Sequence, residues 1–128
     1  MQPHPLRLRL AALLGLAAII LGSLGAHGKV HDALVASGSL DNWKTALSYH
    51  LPHTVLLVLL ALVGSAGGRG ATWAWRCVFA GVLLFSGSLY IHALTHIHGL
   101  VYVTPFGGVT MMAGWACLLF SRWQRPAF

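Results

Sequence analysis

Acidic side chains are what this chain of 128 residues has least of: Asp32 and Asp41 make up its whole Asp+Glu count of 2, against Lys+Arg 8. Charged residues reach only 8%, where an ordinary soluble domain carries about 25%. A globule of this length could not cover its surface with so few, so a water-soluble fold is excluded. Cysteine is scarce too, and Cys77 and Cys117 stand too far apart for a disulfide framework or a CxxC metal motif. What the chain does have is apolar mass, 57% of its residues, and that excludes disorder. The formal net charge of +6 does not point to nucleic acid. That function needs basic side chains clustered on one face, and here the arginines fall in three separated pairs. The expected solvent is a lipid bilayer.

Spanning the hydrocarbon takes about 20 mostly apolar residues at about 1.5 Å per residue. Four stretches qualify, at about 6–26, 43–63, 73–95 and 107–120. They predict an all-α membrane protein of four transmembrane helices in a single domain, 1–128, because so few spans cannot close a barrel and an open sheet edge cannot face lipid. The first span also has the outline of a signal peptide, with a basic start and a small-residue site at Ser23-Leu24-Gly25. Against cleavage stands a repeat: G-S-L-x-x-H occurs at Gly22–His27 and again at Gly87–His92. The repeat raises the expectation of a duplicated helical hairpin.

Lys and Arg accumulate in short cytoplasmic loops. Arg7 and Arg9 precede span one, Arg69 and Arg76 bracket the turn between spans two and three, and Arg122 and Arg125 follow span four. All six fall on one side, so both termini are expected in the cytoplasm, where the two cysteines would remain free thiols. On the other side Lys29 and Lys44 are balanced by Asp32 and Asp41. Residues 30–36 there read as a short interfacial helix between helices one and two. Asp41 is a good N-cap for span two, 64–70 is a flexible turn, and Pro105 opens the fourth helix.

Helices in lipid associate through small residues and a few polar contacts. The expected packing positions are Ala18, Gly22 and Ala26 on span one, Gly87 and Ser88 on span three, and Gly107, Gly108 and Gly114 on span four. They predict close contact among helices one, three and four.

Eight histidines are the chemical signal, and all but His4 are expected in the outer half. His50 and His53 share a helix face, as do His92 and His96. With His27 they are the candidate ligands for copper, zinc or a haem iron, and Met111 and Met112 could add thioethers for Cu(I). No such cofactor is required by the sequence. Polar, interfacial hydrogen bonding is the alternative role, with His53 and His92 expected buried and His31 and His98 in water. Pro52 between the helix-two histidines frees the carbonyl of Ser48 and predicts a kink. No nucleophile elbow, P-loop, zincin helix or dinucleotide fingerprint is present, so an enzyme is not expected. The spans also lack the buried charge that a solute carrier would use.

Several motifs in order carry a family resemblance: Leu21-Gly22-Ser23-Leu24-Gly25-Ala26-His27-Gly28, Trp43-Lys44-Thr45-Ala46, Tyr49-His50-Leu51-Pro52-His53, Leu84-Phe85-Ser86-Gly87-Ser88-Leu89-Tyr90, Thr104-Pro105-Phe106-Gly107-Gly108 and Gly114-Trp115. The chain resembles the YgdD family, small bacterial inner-membrane proteins grouped under a domain of unknown function and similar to eukaryotic transmembrane protein 256. The resemblance implies four membrane helices with an uncleaved first span. It also implies that His27 and His53 stand at family positions, whereas His31, His92 and His98 are additions. It carries no activity or ligand. The expectation is a non-catalytic accessory or stabilising subunit that contacts other membrane proteins; the alternative is a histidine-rich protein holding copper, zinc or haem at its outer face.

Overall fold

The computed structural model describes residues 2–124 and is helical throughout: α1 (Pro5–Ala26), α2 (Lys29–Ala36), α3 (Leu40–Val63), α4 (Gly68–Thr95) and α5 (Leu100–Leu119). Three apolar runs are long enough to cross a membrane, Pro5–Ala26, Leu40–Thr95 and Leu100–Leu119. The middle run, 56 residues long, is twice what one crossing needs. It folds back on itself where Gly64 (φ +57°) and Gly68 (φ +63°) flank a 3-10 turn at Gly64–Gly67. Side chains rarely adopt such φ values, so two glycines let the chain reverse.

α1 starts with Pro5 in its first turn, where the missing N–H is no loss. It runs antiparallel to α3, since His4 N donates to the Ala61 carbonyl (2.8 Å) at one end and Trp43 Nε1 to Leu21 (2.9 Å) towards the other. α3 and α4 are antiparallel as well, tied by Trp75 Nε1 to the Leu57 carbonyl (3.1 Å) and by Ser86 Oγ to that of Ala46 (2.8 Å). α5 returns along α4. The long helices therefore form a row, α1 on α3, α3 on α4 and α4 on α5.

This row bears out the expected contact between helices three and four, here α4 and α5, and corrects the place of helix one, which packs on helix two instead. α1 packs on α3: Gly22 faces Leu47, and Gly25 lies so close to Trp43 that a Cβ there would come within 2.5 Å of the indole Cδ1. Gly25 is buried and Ala26 exposed, one position away from the ladder the sequence suggested, while Ala18 is buried as expected. The tightest seam joins α4 to α5. A Cβ on Gly107 would lie 2.8 Å from the Phe85 Cα, one on Gly114 2.6 Å from a Val78 methyl, and one on Gly81 2.8 Å from the Met111 nitrogen. Gly108 makes only ordinary contact with the Phe85 ring. Ser88 joins the seam through a 2.6 Å bond to Thr104, but Gly87 has open space around it.

α5 begins at Leu100, with Pro105 inside it rather than at its start. The gap that the expected spans leave between 95 and 107 shrinks to the short link after His96, which caps α4 in the left-handed conformation (φ +57°). The two copies of G-S-L-x-x-H run in the same direction but have different surroundings. Ser23 and His27 are exposed, whereas Ser88 is buried and His92 half-buried.

Two apolar clusters fill the interior. One, around Leu57, Trp75, Val78, Val82 and Met111, lies towards the α3–α4 turn. The other gathers Trp43, Ala46, Tyr90 and Ala93 under Leu34 of α2. Between them lies a buried polar layer of His50, Thr54 and Ser86.

Candidate functional site

The polar layer is built on helix backbones. Carbonyl oxygens in a helix retain a second lone pair, and His50, Trp43, Trp75 and Ser86 all bond to such oxygens on a neighbouring helix. His50, 3% exposed, bridges three helices: its Nε2 is 2.9 Å from the Leu14 carbonyl of α1 and its Nδ1 2.9 Å from the Tyr90 hydroxyl of α4. A carbonyl only accepts, so Nε2 carries the proton; a charged ring buried without an acidic partner would be costly, so Nδ1 is bare and accepts from Tyr90. The imidazole is neutral and both nitrogens are engaged. Tyr90 packs edge-on against Trp43 at 4.8 Å between centroids. Every fully buried side-chain nitrogen and oxygen among the described residues has a partner.

A second feature lies between α3 and α5. Tyr49, His53, Phe85, Gly108, Met112 and Trp115 line an open groove of about 320 Å³, with Met111 at its base. The Trp115 indole N–H donates to His53 Nε2 (3.1 Å), so the other nitrogen, Nδ1, bears the proton it donates to the Tyr49 carbonyl (2.7 Å). Tyr49 stacks near His53 and meets Phe85 edge-on at 4.7 Å. At about 1.5 Å per residue, His53 stands roughly 20 Å along α3 from Leu40 and about 15 Å from Val63, near the middle of the helix.

The five candidate ligand histidines do not come together. His50 is in the interior, His53 in the groove, His27 exposed after α1, and His92 and His96 at the opposite end of α4 from the arginines. The His92 ring centroid is 6.4 Å from that of His96 and 6.3 Å from that of His98, and His92 Nδ1 bonds to the Ile97 carbonyl (3.0 Å). Among the described residues, no three His, Cys, Asp or Glu side chains are placed to hold one metal ion. The buried histidine is His50, not His53 or His92, and the half-buried His31 bonds to the Gly25 carbonyl (2.8 Å). Sequence reasoning missed Tyr90 and Gly81; Gly81, isolated in an apolar run, was the available signal for a close helix approach.

The charged residues sort by end. The chain start, the α3–α4 turn and the stretch after α5 meet, with Gln124 N donating to the Ala66 carbonyl (3.0 Å). This end gathers Arg7, Arg9, Arg69, Arg76 and Arg122, with Arg7 over Trp75 (5.6 Å) and Arg76 over Trp73 (5.1 Å). Arg125 lies outside the described residues.

Four long apolar helices crossed by a satisfied polar layer define a multi-pass membrane protein. The sequence signature of the family described as "Protein of unknown function (DUF423)" matches residues 21–108, and the chain belongs to that family. It is similar to UPF0382 membrane proteins of Staphylococcus aureus (strain bovine RF122 / ET3-1) and Staphylococcus haemolyticus (strain JCSC1435). Each is 34% identical over 115 residues, which cover 90% of this chain and 93% of the relative. No solved structure matches the chain.

Proposed function

We propose that the protein is a non-catalytic accessory subunit of the inner membrane that supports a larger membrane protein through the outward face of α5. The observation that carries this reading is a break in the otherwise bulky outward face of α5, set beside the outward face of α1 at the other end of the row. α1 turns Leu13, Leu16, Ile19, Ile20 and Leu24 outward, bulky chains that suit acyl tails. On α5 the exposed Ala113 and Ala116 form a notch between the exposed, bulkier Val109 and Phe120. Small residues admit a neighbouring helix backbone, and in lipid that closeness drives association. The interior supports the same reading, because its polar side chains are engaged in holding helices together.

By the positive-inside rule, the arginine end faces the cytoplasm. α2 then lies along the outer surface, with Lys29 and Asp32 exposed and Leu34 buried.

A photoreactive residue placed at Ala113 in living cells should give one discrete adduct with a larger membrane protein, while the same residue at Ile19 gives lipid adducts alone. Lipid adducts alone from both positions would contradict the proposal.

A further inference from the structure

We propose that the groove between α3 and α5 binds a planar, apolar, carbonyl-bearing molecule of quinone type that enters sideways from the bilayer. Depth is the first argument. Tryptophan and tyrosine normally collect at the two membrane surfaces, as Trp73 and Trp123 do near the arginine end. Tyr49, 44% exposed, instead lies beside His53 near mid-helix, and the indole of Trp115, which stands four residues from the end of α5, reaches in to His53. Polar side chains at that depth mark sites of function, because lipid offers them no partner.

The inventory of polar groups selects the ligand. His53 is neutral, with its Nδ1–H given to the Tyr49 carbonyl and its Nε2 taken by Trp115. The groove's lining carries no ionised side chain, so a charged headgroup would find no counter-ion there. Among the described residues the hydroxyl of Tyr49 has no hydrogen-bond partner, and a plain acyl chain would leave it so. A carbonyl oxygen would accept from it. The aromatic rings of Tyr49, Phe85 and Trp115 suit a flat ligand, and Met111 and Met112 supply adaptable, polarisable walls. About 320 Å³ is at the small end of ligand sites and suits one substituted ring whose tail stays in the lipid.

This surface lies on the α3 side of α5, apart from the notch proposed as the partner face, so the two proposals stand or fall separately.

The test uses the full chain in phosphatidylcholine nanodiscs titrated with decylubiquinone, following quenching of tryptophan fluorescence. The difference between wild type and Trp115→Phe isolates the signal of Trp115. We expect that signal to saturate, and half-saturation to move about tenfold higher in Tyr49→Phe, as the loss of one hydrogen bond implies. In Gly108→Leu, which fills the groove, saturation should vanish. Decylbenzene, which has no carbonyl, should not compete. Quenching that rises in proportion to membrane concentration, or that is the same in Tyr49→Phe and Gly108→Leu as in wild type, would overturn the proposal. So would equal competition by decylbenzene. Circular dichroism and thermal midpoints establish that each variant is folded, and whichever of the two groove variants folds is sufficient for the comparison.

Discussion

His50 sits where a protein in lipid can least tolerate an unpaired polar group, and its two bonds tie α1, α3 and α4 together. Tyr90→Phe removes the donor to Nδ1 and leaves the ring in place. Hydrogen bonds between membrane helices contribute on average about 0.6 and at most about 1.7 kcal/mol, and the loss should fall in that range when unfolding is followed in mixed micelles. His50→Phe also gives up the Leu14 bond and should cost more. Because the two residues share a bond, the double variant should be less destabilised than the sum of the singles; strict additivity would mean that the bond contributes nothing. The sequence announced a histidine-bearing face but not which histidine lies inside. Trp43, Ala46, His50, Leu57 and Leu60 are buried with a gap of seven residues after His50, which strict alternation of three- and four-residue steps would fill with residue 53 and a four-then-three step with residue 54. The choice depends on where α1 and α4 lie around α3. The structure takes Thr54, whose hydroxyl returns to the His50 carbonyl (2.8 Å), and leaves His53 at the groove.

At the level of the helices, the α4–α5 seam is the contact with least room. Gly107→Ala forces a methyl against the Phe85 backbone and should destabilise by about 1–3 kcal/mol, the usual range for overpacking. Gly87→Ala adds the same methyl into open space and, with alanine's better helix propensity of up to about 1 kcal/mol, should be neutral or stabilising. Equal losses at both positions would contradict the observed seam. Composition identified both glycines as packing residues, since a small residue in an apolar span reads alike whether it meets a neighbour or a gap. Pro105 was misleading for a related reason. Proline opens helices more often than it sits inside them, yet here it lies in the second turn of α5, where its missing N–H forgoes one backbone bond. The ends of α1, α3 and α4 and the start of α1 were legible because basic residues, turn glycines and aromatics bracket uniform apolar runs, whereas α3 and α4 begin at Leu40 and Gly68, ahead of the expected 43 and 73.

Across the whole molecule, the distribution of charge was more legible than the arrangement of helices. Arginines at three separated places in the sequence meet at one end because each long helix reverses the one before it, and that alternation follows from four spans and short links. The order of the row did not follow, since it depends on which small residues meet backbone and which meet lipid. We propose that the chain crosses the membrane four times with its arginine end inside. Single cysteines at Ser37, Ser65 and Gly99, all exposed, test it in a chain whose Cys77 and Cys117 are replaced by alanine. With a membrane-impermeant maleimide, positions 37 and 99 should be labelled in intact cells and position 65 only after the membrane is opened. Labelling of position 65 in intact cells, or protection of either of the other two, would contradict it.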